Sequence, residues 1–301
     1  MNYEKYMNIC IQLAKNGEGK VSPNPLVGCV ILDREGNQIS TGFHTKYGEN
    51  HAERDALLKL HNGEEKEGTL IVNLEPCSHF GKTPPCTDLI IERGIKKVVV
   101  GMRDVNPKVS GIQKLKDAGI EIVEGVLEKE CRKLNEIFIK NMTQNKPFVA
   151  LKTASTLDGK IATNSGSSKW ITSEIARENV KKIRNRYDAI LTTSSTVLKD
   201  NPKMLHKKKI ILDRKLKTDL KSEIYQNGEI YIFCHPEFIS GSEMLKQVQH
   251  DNIAFIQTPL MNNKLDIEFV FKKAFELGIK SILIEAGGHL NGSALEYVDK
   301  I

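Results

Sequence analysis

The sequence predicts an α/β protein made of two successive sets of strands and helices. Three observations predict it. Short apolar runs alternate with helix-patterned stretches along most of the chain. A polar stretch, MTQNKP from Met142 to Pro147, interrupts the alternation midway. The 301 residues suffice for two domains, and 40% hydrophobic with 27% charged residues marks a folded chain rather than a disordered one. We place the domains at residues 1–145 and 146–301.

Each element follows from local pattern. Tyr3, Met7, Cys10 and Ala14 recur at helical spacing, and Gly17 stops that helix. LVGCVIL is a short apolar strand ended by Asp33 and the turn REGN, with a second strand near QISTGF. A helix is expected from about His51 to Leu60. GTLIVNLEP reads as a buried strand. PPCTDLIIERG opens with prolines and closes on Gly94, as a short helix does. KKVVVGM is a strand, SGIQKLKDAG a helix, IEIVEG a strand, and Glu128 to Asn141 a further helix. Strands separated by helices imply a parallel or mixed sheet covered on both faces.

The second half repeats the alternation without an internal repeat. PFVALKTA, YDAILTT, KKIILD, EIYIFCH, NIAFIQT and KSILIEAGG are expected strands. Thr172 to Arg186 and Leu265 to Leu277 are expected helices. Cys234 to Asn252 has poor periodicity and reads as a loop or inserted segment.

Composition bounds the function. A net charge of +6 suits an acidic small molecule and is too weak alone to argue for nucleic acid. MNYEKYMNIC carries charges where a leader's apolar core would lie, and no apolar run nears the roughly 20 residues that cross a bilayer. The expectation is a cytoplasmic protein with no membrane partner. A reducing compartment disfavours disulfides, so paired cysteines point to metal or catalysis. Cys10, Cys29 and Cys234 sit in apolar runs and Cys131 in a helix-like stretch, where cysteine is a small buried hydrophobe.

Cys77 and Cys86 differ, because each follows a proline in NLEPCSHFGKTPPCTDL, and HAE stands upstream. His51 with two thiolates suits zinc, and three protein ligands leave a position open for water. Water in such a site ionises near neutral pH, and Glu53 is placed to carry its proton. Residues two apart share no helix face, so His51 and Glu53 both reach one site only from a first helical turn. Pro84 and Pro85 put Cys86 at a helix start, where backbone N–H groups favour thiolate. A disulfide, or a closed structural site with His79 as fourth ligand, stays open at this point. His44 and His61 read as surface or core histidines. Zinc deaminases carry H-x-E and P-C-x-x-C. Here the second cysteine comes after eight residues, SHFGKTPP, rather than two.

PNPLVG, HAE and LEPCSHFGKTPPC together closely resemble the deaminase half of the bifunctional riboflavin-biosynthesis deaminase–reductases. LKTASTLDGKIAT, SKWIT, TTSSTVLKDNP and IEAGGHLNGSAL resemble the reductase half. The resemblance implies a cytidine-deaminase-like α/β/α sandwich with a mixed sheet, then a dihydrofolate-reductase-like α/β domain. It implies zinc on His51, Cys77 and Cys86, a proton shuttle at Glu53, and contacts to a pyrimidine ribosyl phosphate from Asn24, His79 and Lys82. Lys82 beside Gly81 also makes sense as a mobile cation for phosphate. In the second half it implies Lys152, Ser168, Thr172, Arg184, Asp200 and Glu285 around the ribose phosphate. Ala154, Trp170, Thr196, Gly287 and Gly288 would line NADPH, and a homo-oligomer is implied. EAGGHLNG follows a strand and opens a helix, so its glycines let a phosphate approach backbone N–H groups.

Departures from the family pattern cluster in the second half. DNPKMLHKKK puts Lys207 where the family carries an arginine, and lysine lacks the bidentate fork. The segment after it is shortened, Cys234 to Asn252 looks inserted, and the family's last strands do not follow YVDKI. A sheet short of its last strands is therefore expected. Three alternatives accompany the reading: a deaminase with an inactive reductase half, a zinc deaminase of another base, nucleoside or tRNA, or a folded zinc-binding remnant serving as a partner module.

Overall fold

An amphipathic helix opens the first unit of the structure, a computed structural model that describes residues 1–61, 63–81, 83–164, 171–239 and 252–301. The chain divides into two units, Met1–Gln144 and Asn145–Ile301. In the first, α1 (Tyr3–Ala14) buries Met7, Cys10, Ile11 and Ala14 along one stripe. Asn2 caps it by accepting the Lys5 N–H. Strands β1 (Gly28–Leu32), β2 (Gln38–Phe43), β3 (Thr69–Leu74), β4 (Lys97–Met102) and β5 (Glu121–Glu124) form one sheet in the order β2–β1–β3–β4–β5. β1 runs antiparallel to β2 and β3, whereas β3, β4 and β5 are parallel, so the sheet is mixed. The central strands are buried almost throughout, which is why they read as unbroken apolar runs. Gly28 allows α1 its close approach, since a Cβ there would lie 2.1 Å from the Cys10 carbonyl oxygen.

The remaining helices of this unit are α2 (Ala52–Leu57), α3 (Cys86–Glu92), α4 (Gly111–Asp117), α5 (Glu128–Leu134) and α6 (Glu136–Gln144). Two differ from expectation. α2 ends at Leu57 rather than near Leu60. The single helix expected from Glu128 to Asn141 is two, broken at Asn135, whose φ of −103° and ψ of 22° leave the helical region. The physical reason is a competing partner: the Asn135 side chain binds the backbone of Leu26.

The second unit contributes β6 (Phe148–Leu151), β7 (Ala189–Thr193), β8 (Lys208–Leu212), β9 (Glu229–Cys234), β10 (Ile253–Gln257), the two-residue β11 (Leu260–Met261) and β12 (Lys264–Leu265), and β13 (Ser281–Ile284). Among the described residues six of them make one sheet, ordered β10–β9–β8–β7–β13–β6, and every pairing is parallel. Helices α7 (Glu174–Arg184), α8 (Ser194–Asp200), α9 (Ile267–Glu276) and α10 (Gly288–Ala294) accompany it. α7 and α9 start two residues later than expected. Ser173 and Asp266 cap them, accepting N–H groups of the first turn from outside the helix. α8 was not expected, because its polar sequence buries only Val197. Of the odd segment, Pro236–Phe238 is a 3₁₀ turn, and residues 240–251 lie outside those described.

The outer edge of β6 is partly covered. Leu151 donates to the Lys300 carbonyl at 2.8 Å, and Asp299 donates to the Val149 carbonyl at 2.8 Å. Cys10, Cys29, Cys131 and Cys234 are free and buried. Burial pushes the Cys131 thiol up to about 12 and Cys234 up to about 11. Among the described residues no helix is long and apolar enough to cross a membrane.

Candidate active site

Three helix and strand ends converge on one point in the first unit. His51 is the N-cap of α2, extended at φ −68° and ψ 161°, and Glu53 lies in the first turn behind it. Cys77 follows β3, and Cys86 opens α3 behind Pro85. His51 Nδ1 lies 3.4 Å from Cys77 Sγ and 3.5 Å from Cys86 Sγ, and all three donor atoms fall within 4.8 Å of one another. Two ligands on one tetrahedral zinc, at bond lengths near 2.1 and 2.3 Å, sit about 3.6 Å apart. The donor set and its spacing therefore fit zinc. Cys86 N–H donates to Cys77 Sγ at 3.3 Å, as expected of a helix start facing a thiolate.

The electrostatics follow from this crowding. Cys77 is held well below the usual thiol range first by its hydrogen bond with the Cys86 side chain, then by His51 and the Cys86 N–H. The same bond first, then burial and the Glu53 charge, push the Cys86 thiol up. His51 is raised by its bond to Cys77. Glu53 is 4% exposed, and burial first, then the Cys77 charge, pushes it up to about 7.

His51, Glu53 and Cys77 line a cavity of about 460 Å³, walled also by Asn24, His44, His79, Asp104, Asn106 and Phe138. Lys82 lies outside the described residues. His44, read from sequence as an ordinary histidine, is part of the wall. Its Nδ1 lies 2.9 Å from the Asn50 carbonyl, which can only accept, so Nδ1 carries the proton. Nε2 must then accept from Asn24 Nδ2 at 3.1 Å. Among the described residues, Asn24 is left with Oδ1, an acceptor, and the second Nδ2 hydrogen to offer the cavity. Burial lowers the His44 pKa and keeps the ring neutral. Asp104 and Asn106 were also missed. They follow β4 at its carboxyl end, where ligands of parallel sheets bind, and that position was a usable signal.

Glu75 holds this wall to the metal ligands. Its oxygens accept the Ile112 N–H at 2.9 Å and the Asp104 N–H at 3.1 Å. Gly111 packs so tightly that a Cβ would lie 1.9 Å from the Pro76 carbonyl oxygen, next to Cys77.

In the second unit Lys152, Arg184 and Glu285 come together. Arg184 grips Glu285 with two prongs, Nε to Oε1 at 2.6 Å and Nη2 to Oε2 at 2.9 Å. Lys152 Nζ lies 3.7 Å from Glu285 Oε2. His206 Nε2 lies 3.2 Å from the Arg184 carbonyl. Thr172 accepts from Arg177 through its carbonyl, and Thr196 pairs with Thr193 at 3.3 Å. Ala154 is half-buried, whereas Asp200 stands exposed at the end of α8, outside this cluster. Lys207 is likewise exposed. Ser168 and Trp170 lie outside the described residues. Gly287 and Gly288 start α10 directly after β13, and a Cβ on Gly287 would meet nothing within 4 Å. β13 lies beside β7, out of chain order, and α8 starts at the end of β7. Such a reversal in strand order is where open parallel sheets take nucleotides, so the backbone fits NADPH.

Comparison with known proteins adds the following. The family described as "RibD C-terminal domain" matches residues 147–300, and "Cytidine and deoxycytidylate deaminase zinc-binding region" matches residues 1–102. The riboflavin biosynthesis protein RibD of Actinobacillus pleuropneumoniae is 43% identical, covering 97% of this chain and 79% of that protein. The RibD of Aquifex aeolicus is 39% identical over 94% of this chain and 80% of its own length. A solved structure from Thermotoga maritima, a diaminohydroxyphosphoribosylaminopyrimidine deaminase/5-amino-6-(5-phosphoribosylamino)uracil reductase, superposes with a TM-score of 0.88 at 41% identity, covering 99% of this chain and 84% of that one.

Proposed function

The chain belongs to the RibD family, and from that premise we propose how its two units share the work of riboflavin biosynthesis. Residues 1–145 deaminate a diaminopyrimidine ribosyl phosphate with zinc. Residues 146–301 then reduce the ribose to a ribityl chain with NADPH. The observation that carries the reading is the triad of His51, Cys77 and Cys86 with buried Glu53 beside it, opening on one cavity.

Zinc on His51, Cys77 and Cys86 supplies a Lewis acid that makes water nucleophilic near neutral pH. Glu53, whose proton affinity sits near neutrality, takes a proton from that water and returns it to the departing nitrogen. Water adds at the amine-bearing ring carbon, the carbon–nitrogen bond breaks, and ammonia leaves. Asn24 Oδ1, its amide turned by neutral His44, accepts a ring N–H. The family resemblance supports His79 and Lys82 as substrate contacts, with Lys82 as a cation for the phosphate.

In the second unit bound NADPH would supply the hydride that reduction of the open-chain ribose carbon requires. Lys152 and Arg184, both anchored on Glu285, hold positive charge for the substrate phosphate. Thr196 and the Gly287–Gly288 turn support the cofactor. The family resemblance supports assembly as a homo-oligomer, and the free thiols suit a reducing cytoplasm.

The test is mass spectrometry of the diaminopyrimidine ribotide after incubation with zinc-loaded protein, with and without NADPH. Deamination followed by reduction is expected. Glu53→Gln should bind zinc normally and lose deamination by about 10²–10⁴-fold. A variant that deaminates at the wild-type rate removes Glu53 from its role.

A further inference from the structure

We propose that Asn135 is a positioning residue of the deaminase pocket, setting the Asn24–Val27 segment and Phe138 against the substrate ring. It acts on substrate binding rather than on the chemical step. The proposal rests on reading this cavity as a pyrimidine site.

Asn135 is 2% exposed and stands where α5 breaks into α6. Its side chain spans 109 residues of sequence to the backbone of Leu26. Oδ1 accepts the Leu26 N–H at 2.8 Å, and Nδ2 donates to the Leu26 carbonyl at 3.0 Å. The planar amide thus offers an acceptor and a donor side by side, as a neighbouring strand would. Leu26 lies before β1, beyond its ladder, so these bonds replace sheet pairing.

Both sides of this contact end in the cavity. Asn24, Pro25 and Val27, flanking Leu26, line it. Phe138, in the first turn of α6, lines it as well, and Ile139 N–H donates to the Asn135 carbonyl at 2.9 Å. One residue therefore ties together two walls of the pocket.

A second asparagine separates this role from simple folding. Asn73 Nδ2 also donates to the Leu26 carbonyl, at 2.9 Å, and Asn73 Oδ1 accepts the Gly28 N–H at 2.7 Å. Asn73 thereby seats the entry to β1 without Asn135. The Leu26 N–H has Asn135 as its partner and loses it when that side chain is removed. The metal ligands hang from α2, the end of β3 and α3, and Asn73 of β3 keeps its own bonds to Leu26 and Gly28 when the Asn135 side chain is removed.

The experiment uses the full-length, zinc-loaded chain with Asn135→Ala and the same-sized Asn135→Asp. Asp keeps an acceptor for Leu26 N–H and turns the donor into an acceptor facing the Leu26 carbonyl. Four quantities are read: KM and kcat for deamination, zinc content, and reduction of separately supplied deaminated intermediate. Expected are a KM raised about tenfold or more in both variants and a kcat within about threefold of wild type. Zinc and reduction should be unchanged. A KM equal to wild type overturns the proposal. So does loss of zinc in both variants, which makes Asn135 a residue of the fold alone. If only Asn135→Ala loses zinc, Asn135→Asp decides. Wild-type protein that leaves the pyrimidine untouched overturns the site reading and this proposal with it. Active wild type with unmoved variants sinks this proposal alone.

Discussion

Asp104 shows what burial does to a single carboxyl group in this pocket. Loss of solvent, with the nearby Glu75 charge adding, pushes its pKa up to about 6. The folded state thus keeps a proton that the unfolded chain has released. The group is neutral in both states below about pH 4, and it turns against folding as pH rises through 6. Asp104→Asn keeps an acceptor for the Asn106 N–H, bonded at 2.8 Å, and removes the charge. Thermal melts should show the variant more stable than wild type at pH 8 and equal to it at pH 4. An equal shift at both pH values would exclude burial as the cause. Arg184 illustrates the opposite case, a charge matched by its partner. Arg184→Met strands Glu285, whose side chain is 6% exposed, with Lys152 as its remaining cation among the described residues. Breaking such a pair costs about 3 kcal/mol, and adding Glu285→Met should recover most of it in denaturant titrations. At this scale legibility follows chemistry. His51, Cys77, Cys86 and Glu53 stand out because only a few residue types bind zinc or move its proton. His44 and Asn135 do not, because each takes its role from a contact distant in sequence.

Elements matter here through their ends. The start of α4 braces the loop that carries Cys77: Ile112 N–H reaches Glu75, Ser110 N–H reaches Ser78 Oγ at 2.9 Å, and Gly111 packs on Pro76. Gly111→Ala must push the helix and that loop apart. We expect zinc held less tightly, seen as faster loss to a competing chelator, with the second unit's reduction intact. Unchanged zinc retention would show that Cys77 is placed without α4. The strands were legible because the buried ones carry unbroken apolar runs, Leu70–Val72 in β3 and Val98–Val100 in β4. Helix limits were less so, since Ser173 and Asp266 act from just outside their helices. α8 buries too little for a periodic signal, and a helix broken by one asparagine looks continuous until its partner is seen.

For the whole molecule, the two reactions should separate cleanly. A chelator should abolish deamination while reduction of supplied deaminated intermediate stays within about twofold, because zinc ligands occur in the first unit only among the described residues. Equal loss of both would mean that the units depend on each other's folding. The presence of two α/β units was legible from alternation and from the polar break. The order β10–β9–β8–β7–β13–β6 was not, because crossovers rather than local pattern decide which strands become neighbours. That order also has a consequence for how the protein is made. β6 is the second unit's first strand off the ribosome, yet its ladder partner Ser281–Ile284 emerges about 130 residues later, as Phe148↔Ser281 requires. The first unit closes its sheet while the rest is still being translated. β6 meanwhile waits unpaired and apolar, and this interval is when the nascent chain most needs a chaperone.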